Sequence, residues 1–140
     1  MESYRARFRG APSLVREARD AVTDYARLCG FTSRDVHDIE IAVGEALANA
    51  VEHGAKNLGF ITVLCSYNGR CITIEVQDEG TGFDYAAKRS REPHAVRGFG
   101  ITIMRSLMDE VRFLHQGNVV RLSKIGPLPD EVQILGEEEA

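Results

Sequence analysis

Hydrophobic residues recur with a helical period in two segments near the start of the chain. They return every three or four positions between Leu14 and Leu28, and again between Val36 and Ala50. This spacing predicts two amphipathic helices, because positions three and four apart share one helix face. A glycine follows each segment, which is typical of a helix C-terminus.

The middle of the chain changes to a strand pattern. Residues Phe60–Tyr67 are rich in β-branched and aromatic types, and Cys71–Val76 alternates apolar and polar side chains. Asn68-Gly69 lies between them and predicts a hairpin turn. Tyr4–Phe8, which alternates apolar and basic residues, predicts a short edge strand.

The last third predicts one more helix and a second hairpin. The helix is expected from Ile101 to about Asp109, and the paired strands are Val111–Leu114 and Val119–Leu122. Hairpin-joined strands with helices between them indicate an α/β fold, a two-layer sandwich whose helices cover one face of a mixed sheet.

Length and charge narrow the class of protein. The chain has 140 residues, 44% of them hydrophobic, which suits a single domain over residues 1–125. The net charge is −4, and its negative excess lies in an acidic tail over residues 126–140 that we expect to be flexible. The rest of the sequence shows no stripe of basic residues, which argues against nucleic-acid binding. No apolar run is long enough to span a membrane. Three cysteines without paired spacing favour a reducing, cytoplasmic location.

Glu45 and Asn49 are polar residues in an otherwise apolar, alanine-rich helix segment. Four helical residues advance by about 400°, so both side chains project from one face. A carboxylate beside a carboxamide there suits a general base and an oxygen ligand for Mg²⁺. The alternative is an ordinary solvated helix face.

Two glycine-containing segments follow. Asp78-Glu79-Gly80-Thr81-Gly82-Phe83 comes directly after a strand, and Arg97-Gly98-Phe99-Gly100-Ile101 opens the third helix. Glycines allow close backbone approach to a ligand, and a helix N-terminus favours phosphate. Each segment alone is also compatible with a simple turn or helix start.

The ordered set Glu-x-x-x-Asn, Asp-x-Gly-x-Gly and Gly-x-Gly resembles the GHKL (Bergerat-fold) ATPase family, over roughly Asp38–Ile125. Within that family, the segments 45–54 and 97–111 are similar to those of small bacterial anti-sigma factor serine/threonine kinases.

The resemblance implies ATP and Mg²⁺ as cofactors and a role for each motif residue. Glu45 would be the catalytic base and Asn49 the Mg²⁺ ligand, and residues 84–97 would form a lid over the nucleotide. The other implied nucleotide-binding residues are Asp78, at the adenine amino group, and Gly80, Gly82, Arg97, Gly98 and Gly100.

The implied partners are an alternative sigma factor, a STAS-domain anti-sigma-factor antagonist as phosphoryl acceptor, and a second copy of the chain. Two other functions stay open. One is an ATP-gated binding module without phosphotransfer; the other is a histidine kinase catalytic domain, which would require an upstream helical hairpin. The late hairpin also departs from the family, since Gly117-Asn118-Val119 stands where Gly-Thr-Thr is usual.

Overall fold

Five strands and three helices follow one another in the part of the chain that the structure, a computed structural model, describes. That part comprises residues 2–53, 59–79, 96–115 and 118–126, with the backbone alone for 53 and 96–98. The elements are β1 (Tyr4–Arg9), α1 (Pro12–Leu28), α2 (Ser33–His53), β2 (Phe60–Tyr67), β3 (Cys71–Asp78), α3 (Val96–Leu107), β4 (Glu110–Leu114) and β5 (Val119–Ile125).

The strands form one sheet in the order β1-β2-β3-β5-β4, with β1 at one edge as predicted. All pairings between the described strands are antiparallel, so the predicted mixed sheet is wrong. The two hairpins required antiparallel pairs. The directions of the pairs β1-β2 and β3-β5 depend on longer connections that run through helices, and the sequence pattern did not fix them.

The helices cover one sheet face, as predicted for the two-layer sandwich. Alternate residues of β2 and β3 are buried on that face, among them Ile61, Val63, Ile72 and Ile74. α2 packs against both other helices and against β3 and β5. It is therefore the central helix of the core.

The predicted hairpin turn between β2 and β3 is present. Gly69 has a φ of +91°, which strongly favours glycine. The side-chain oxygen of Asn68 accepts hydrogen bonds from the backbone N–H groups of Arg70 and Cys71, at 2.9 and 2.8 Å.

Several element boundaries differ from prediction, among them the end of β5, which lies at Ile125 rather than Leu122. α3 begins at Val96 rather than Ile101, and β3 extends two residues further, to Asp78. Gly126, predicted as the first tail residue, is buried and donates a 2.7 Å hydrogen bond to the carbonyl of Arg70. Residues 127–140 of the predicted tail lie outside the described residues.

Candidate nucleotide site

The central helix α2 carries Glu45 and Asn49. Both are half-buried, and their neighbours Ala46, Leu47 and Ala50 on the same helix are buried in the core. The helix places the two polar side chains one turn apart at the edge of the core. This is the arrangement that their spacing predicts.

Asp78 lies at the end of β3 and shares a cavity with Asn49. The cavity is narrow, with room inside for about one water molecule, and it opens to solvent. Its lining comes from α2 and from three strands: Ala46, Asn49, Ala50, Val76, Asp78, Phe113 and Val120. The backbone N–H of Asp78 donates to the carbonyl of Asn118 at 2.9 Å, which ties the strand end to β5. The cavity therefore combines an apolar wall with one carboxylate and one carboxamide.

The neighbouring Glu79 faces a different part of the molecule. Its carboxylate accepts a 2.8 Å hydrogen bond from Arg7 on β1 and a 3.4 Å bond from the backbone N–H of Phe60. These bonds, the one from Arg7 above all, lower the pKa of Glu79 below its usual value. Of the two adjacent carboxylates, Asp78 lines the cavity, whereas Glu79 links the end of β3 to β1 and β2.

Gly100 of α3 lies directly against the carboxylate of Glu45. A β-carbon placed on Gly100 would be 2.9 Å from Oε1 of Glu45, 3.7 Å from its Cδ and 4.0 Å from its Cβ. The whole Glu45 side chain thus runs along the glycine. The structure brings together the Glu-Asn helix and the Gly-x-Gly helix at this contact.

A second cavity opens on the other side of Glu45, between α1 and α2. It holds about 660 Å³ of space, including open solvent, and is lined by Arg19, Glu40, Ile41, Gly44 and Glu45. The Nε atom of Arg19 is buried and has no hydrogen-bond partner within the described parts of the chain. Glu45 is therefore reachable from solvent on this side.

Asn49 can supply an oxygen ligand to the predicted Mg²⁺. Mg²⁺ prefers oxygen ligands and is commonly held by one or two protein oxygens together with substrate phosphates. The side chain of Asn49 supplies such an oxygen at the cavity shared with Asp78. No cluster of three or more His, Cys, Asp or Glu residues that could hold a metal occurs among residues 2–53, 59–79, 96–115 and 118–126.

Several predicted site residues fall wholly or partly outside the described residues. Gly80, Gly82 and most of the predicted lid 84–97 lie outside the described residues, while Arg97 and Gly98 are described as backbone at the start of α3. The cavity wall also includes residues that sequence reasoning missed. Phe113 and Val120 belong to this group. The sequence indicated them only through the alternation of side chains along β4 and β5, which turns every second residue towards the core.

The fold and these residues agree with comparisons to known proteins. Residues 8–124 match the family described as histidine kinase-like ATPase domain. An anti-sigma F factor of Thermoanaerobacter sp. is 35% identical over 117 residues, covering 76% of this chain and 82% of that protein. The serine-protein kinase RsbW of Bacillus subtilis is 32% identical over 126 residues, covering 81% and 79%.

A solved structure agrees on the fold. The crystal structure of the RsbU and RsbW domains of Rv1364c from Mycobacterium tuberculosis superposes with a TM-score of 0.65 at 20% identity. The match covers 91% of this chain and 33% of that longer chain. At this identity the likeness supports the two-layer fold alone.

The chain belongs to the histidine kinase-like ATPase domain family. Within it, the chain groups with small bacterial anti-sigma factors and serine-protein kinases, which confirms the predicted resemblance and the predicted class, an ATP-dependent serine/threonine kinase.

Proposed function

We propose that this protein is a cytoplasmic anti-sigma factor that sequesters an alternative sigma factor. It uses Mg-ATP to phosphorylate a serine or threonine on a STAS-domain anti-sigma-factor antagonist. Phosphorylation stops the antagonist from competing for the kinase, so the sigma factor stays bound. The active unit is a homodimer. The family and the names of the relatives support an anti-sigma kinase role in general; the partners and the acceptor are the proposal.

The observation that carries the proposal is that Asn49 and Asp78 line one cavity while Glu45 lies one helical turn away on α2. Glu45 also lies beside Gly100 of α3. This arrangement supports a site with an adenine-binding end at Asp78 and a reacting end at Glu45.

Each residue then has a defined task. The Asp78 carboxylate accepts a hydrogen bond from the exocyclic amine of adenine, while Val76 and Val120 contact the flat ring. The Asn49 carboxamide oxygen binds Mg²⁺ together with phosphate oxygens. Positioning and charge neutralisation supply most of the rate enhancement in phosphoryl transfer.

Glu45 takes the proton in the chemical step. The acceptor hydroxyl oxygen forms its bond to the terminal phosphorus as the bond from that phosphorus to the ADP oxygen breaks. The hydroxyl proton passes to the Glu45 carboxylate. A positioned general base of this kind contributes about 10²–10⁴-fold in rate.

The test is a capture experiment with two matched variants. The tagged chain, its Glu45→Gln variant and its Glu17→Gln variant are each incubated with host extract and Mg-ATP, and retained or newly phosphorylated proteins are identified by mass spectrometry. Glu17 is an exposed carboxylate on α1, away from both cavities. We expect the wild-type chain and Glu17→Gln to retain the sigma factor and to phosphorylate the antagonist. Glu45→Gln should leave the antagonist unphosphorylated and therefore retain less sigma factor.

Two results would contradict the proposal in different ways. Phosphorylation that persists in Glu45→Gln would remove the base role of Glu45. A retained partner with no phosphorylation in any sample would instead favour the ATP-gated binding module.

A further inference from the structure

Gly100 belongs to a Gly-x-Gly segment whose glycines the sequence alone assigns to phosphate binding, yet its surroundings are those of a packing position. It is the fifth residue of α3, which begins at Val96. The N–H groups of the first four residues of a helix lack partners within the helix, and those are the groups available to an anion. Gly100 is also buried, whereas Phe99 beside it is 59% exposed.

What lies over the α-carbon of Gly100 is the side chain of Glu45. A β-carbon at Gly100 would be 2.9 Å from Oε1 and within 4.0 Å of both Cδ and Cβ of that glutamate. A distance below about 3.0 Å between a methyl carbon and a carboxylate oxygen is not tolerated, because it is shorter than the sum of the two van der Waals radii. Any side chain at position 100 therefore excludes the carboxylate from its observed place.

The atom that would have to move is the free end of a flexible side chain rather than backbone. The Glu45 carboxylate can rotate away at little cost, since the solvent-open cavity lined by Arg19 and Glu40 lies beside it. The fold would thus survive a substitution at Gly100, while the position of the carboxylate would not. Misplacing a reacting group by about 1 Å can lower a rate about 10²-fold.

We propose that Gly100 is a positioning residue for Glu45: the missing side chain creates the slot that holds the carboxylate at the reacting end of the site. This inference rests on the proposed function, in which Glu45 is the general base. It assigns to Gly100 a role in the rate of phosphoryl transfer rather than in nucleotide affinity.

The test compares Gly100→Ala with the matched control Gly44→Ala. Gly44 adjoins Glu45 on α2, but a β-carbon there would meet only Cδ of Arg19 at 3.7 Å, an ordinary contact. Single-turnover release of phosphate from Mg-ATP measures the rate with water as acceptor, and calorimetric titration measures ATP affinity. We expect Gly100→Ala to slow release about 10²-fold with wild-type ATP affinity and a Tm no lower than wild type, and Gly44→Ala to match wild type throughout.

A double-mutant cycle separates positioning from phosphate binding. Aspartate at position 45 is one methylene shorter, so its carboxylate does not reach the slot. In a Glu45→Asp background, Gly100→Ala should cause no further loss of rate. A further loss there, or a parallel loss of ATP affinity in Gly100→Ala alone, would overturn the proposal in favour of a direct phosphate contact.

Crystal structures of the wild-type and Gly100→Ala proteins give a readout that does not depend on activity. We expect the Glu45 carboxylate to be displaced in the variant; an unmoved carboxylate would overturn the proposal. Where Gly100→Ala alone does not fold, recovery of folding in Glu45→Asp/Gly100→Ala would identify the overlap with Glu45 as the cause, and failure of both proteins to fold would overturn the proposal. Failure of the proposed function is distinguishable, since Glu45→Gln would then release phosphate as fast as wild type.

Discussion

Asp78 and Glu79 show how much the function of a residue depends on the face of the strand to which it belongs. They are adjacent carboxylates at one strand end, but only Asp78 lines the apolar cavity beneath the helices. Glu79 is held by Arg7 and by the backbone of Phe60. The alternation of a β-strand separates the two roles.

Changing Asp78 to Asn should weaken ATP binding and leave the fold intact. Asparagine keeps an acceptor oxygen but loses the charge, so the expected loss is the difference between a charged and a neutral hydrogen bond, about 1–1.5 kcal/mol, or roughly 5- to 13-fold in affinity. Isothermal titration with Mg-ATP measures it. The matched control is Glu75→Gln, also on β3, whose carboxylate pairs with Arg121 at 2.7 Å outside the cavity. Equal losses in both variants would argue against a specific contact at Asp78.

Cys65 predicts how stability depends on alkaline pH. Burial, and to a lesser extent the nearby Cys29, raises the pKa of its thiol from 9.0 to about 12. The unfolded chain therefore loses this proton at lower pH than the folded chain, so stability is complete below pH 9 and falls as pH rises from there towards 12. Burial likewise raises the pKa values of Tyr4, Tyr25 and Cys29.

Urea unfolding midpoints measured at about pH 8 and about pH 11 test this linkage. We expect a smaller drop between the two pH values for Cys65→Ala than for wild type, because the variant has one fewer thiol to ionise. An identical drop would mean that the other raised groups account for the whole effect.

Among the elements, α3 depends on a contact at its C-terminal end as well as on packing. Nζ of Lys124, on β5, donates a 2.6 Å hydrogen bond to the carbonyl of Leu107, the last residue of the helix. The side chain of Lys124 is only 12% exposed and lies 3.9 Å from a carboxylate oxygen of Asp38 on α2. A cation at this end of a helix is favoured by the helix dipole. One lysine thus joins β5 to two helices.

Replacing Lys124 by Met should lower the free energy of unfolding by about 1–3 kcal/mol, because a part-buried hydrogen bond is lost while the apolar stem is kept. Urea denaturation measures the change. Arg112→Met is the control, since Arg112 forms an exposed pair with Glu110 at 3.0 Å; pairs of this kind contribute about 0–1 kcal/mol. A smaller loss for Lys124→Met than for Arg112→Met would contradict the argument.

The elements differed in how well the sequence predicted them. The bounds of β2 agree residue for residue, because its β-branched run is ended by a strong turn signal at Asn68-Gly69. The start of α3 was missed because Gly98 and Gly100 have low helix propensity, which tertiary contacts overrode. Of the site, the shared face of Glu45 and Asn49 follows from helix geometry alone. The contact of Glu45 with Gly100 and the wall formed by Phe113 required the packing of distant segments.

At the scale of the whole molecule, α2 carries both the core and the candidate site. Ile39, Val43 and Leu47 are fully buried, while Glu45 and Asn49 on the same helix border the cavities. Loss of packing under α2 would therefore disturb folding and ligand binding together.

Leu47→Ala should lower the free energy of unfolding by about 2–5 kcal/mol, the range for a large-to-small change in a packed core. Leu28→Ala is the control, because Leu28 is 75% exposed at the end of α1. Circular dichroism in the far and near ultraviolet should report one coincident transition for each protein. Two separate transitions for Leu47→Ala would show that α2 does not unite the domain.

The antiparallel register also determines where a label can be attached away from the cavity. β5 runs against β3, so Gln77 pairs with Val119 near Asp78, whereas Cys71 pairs with Ile125 at the far end of the sheet. The described part of the chain ends there, at Gly126, whose backbone N–H donates to the carbonyl of Arg70 and whose α-carbon lies against the ring of Phe31. At about 3.4 Å per residue, the length of β3 places this end of the sheet roughly 24 Å from the cavity lined by Asp78. A label attached through an Ile125→Cys substitution, at a side chain that is 47% exposed, would therefore leave that cavity open to the solution.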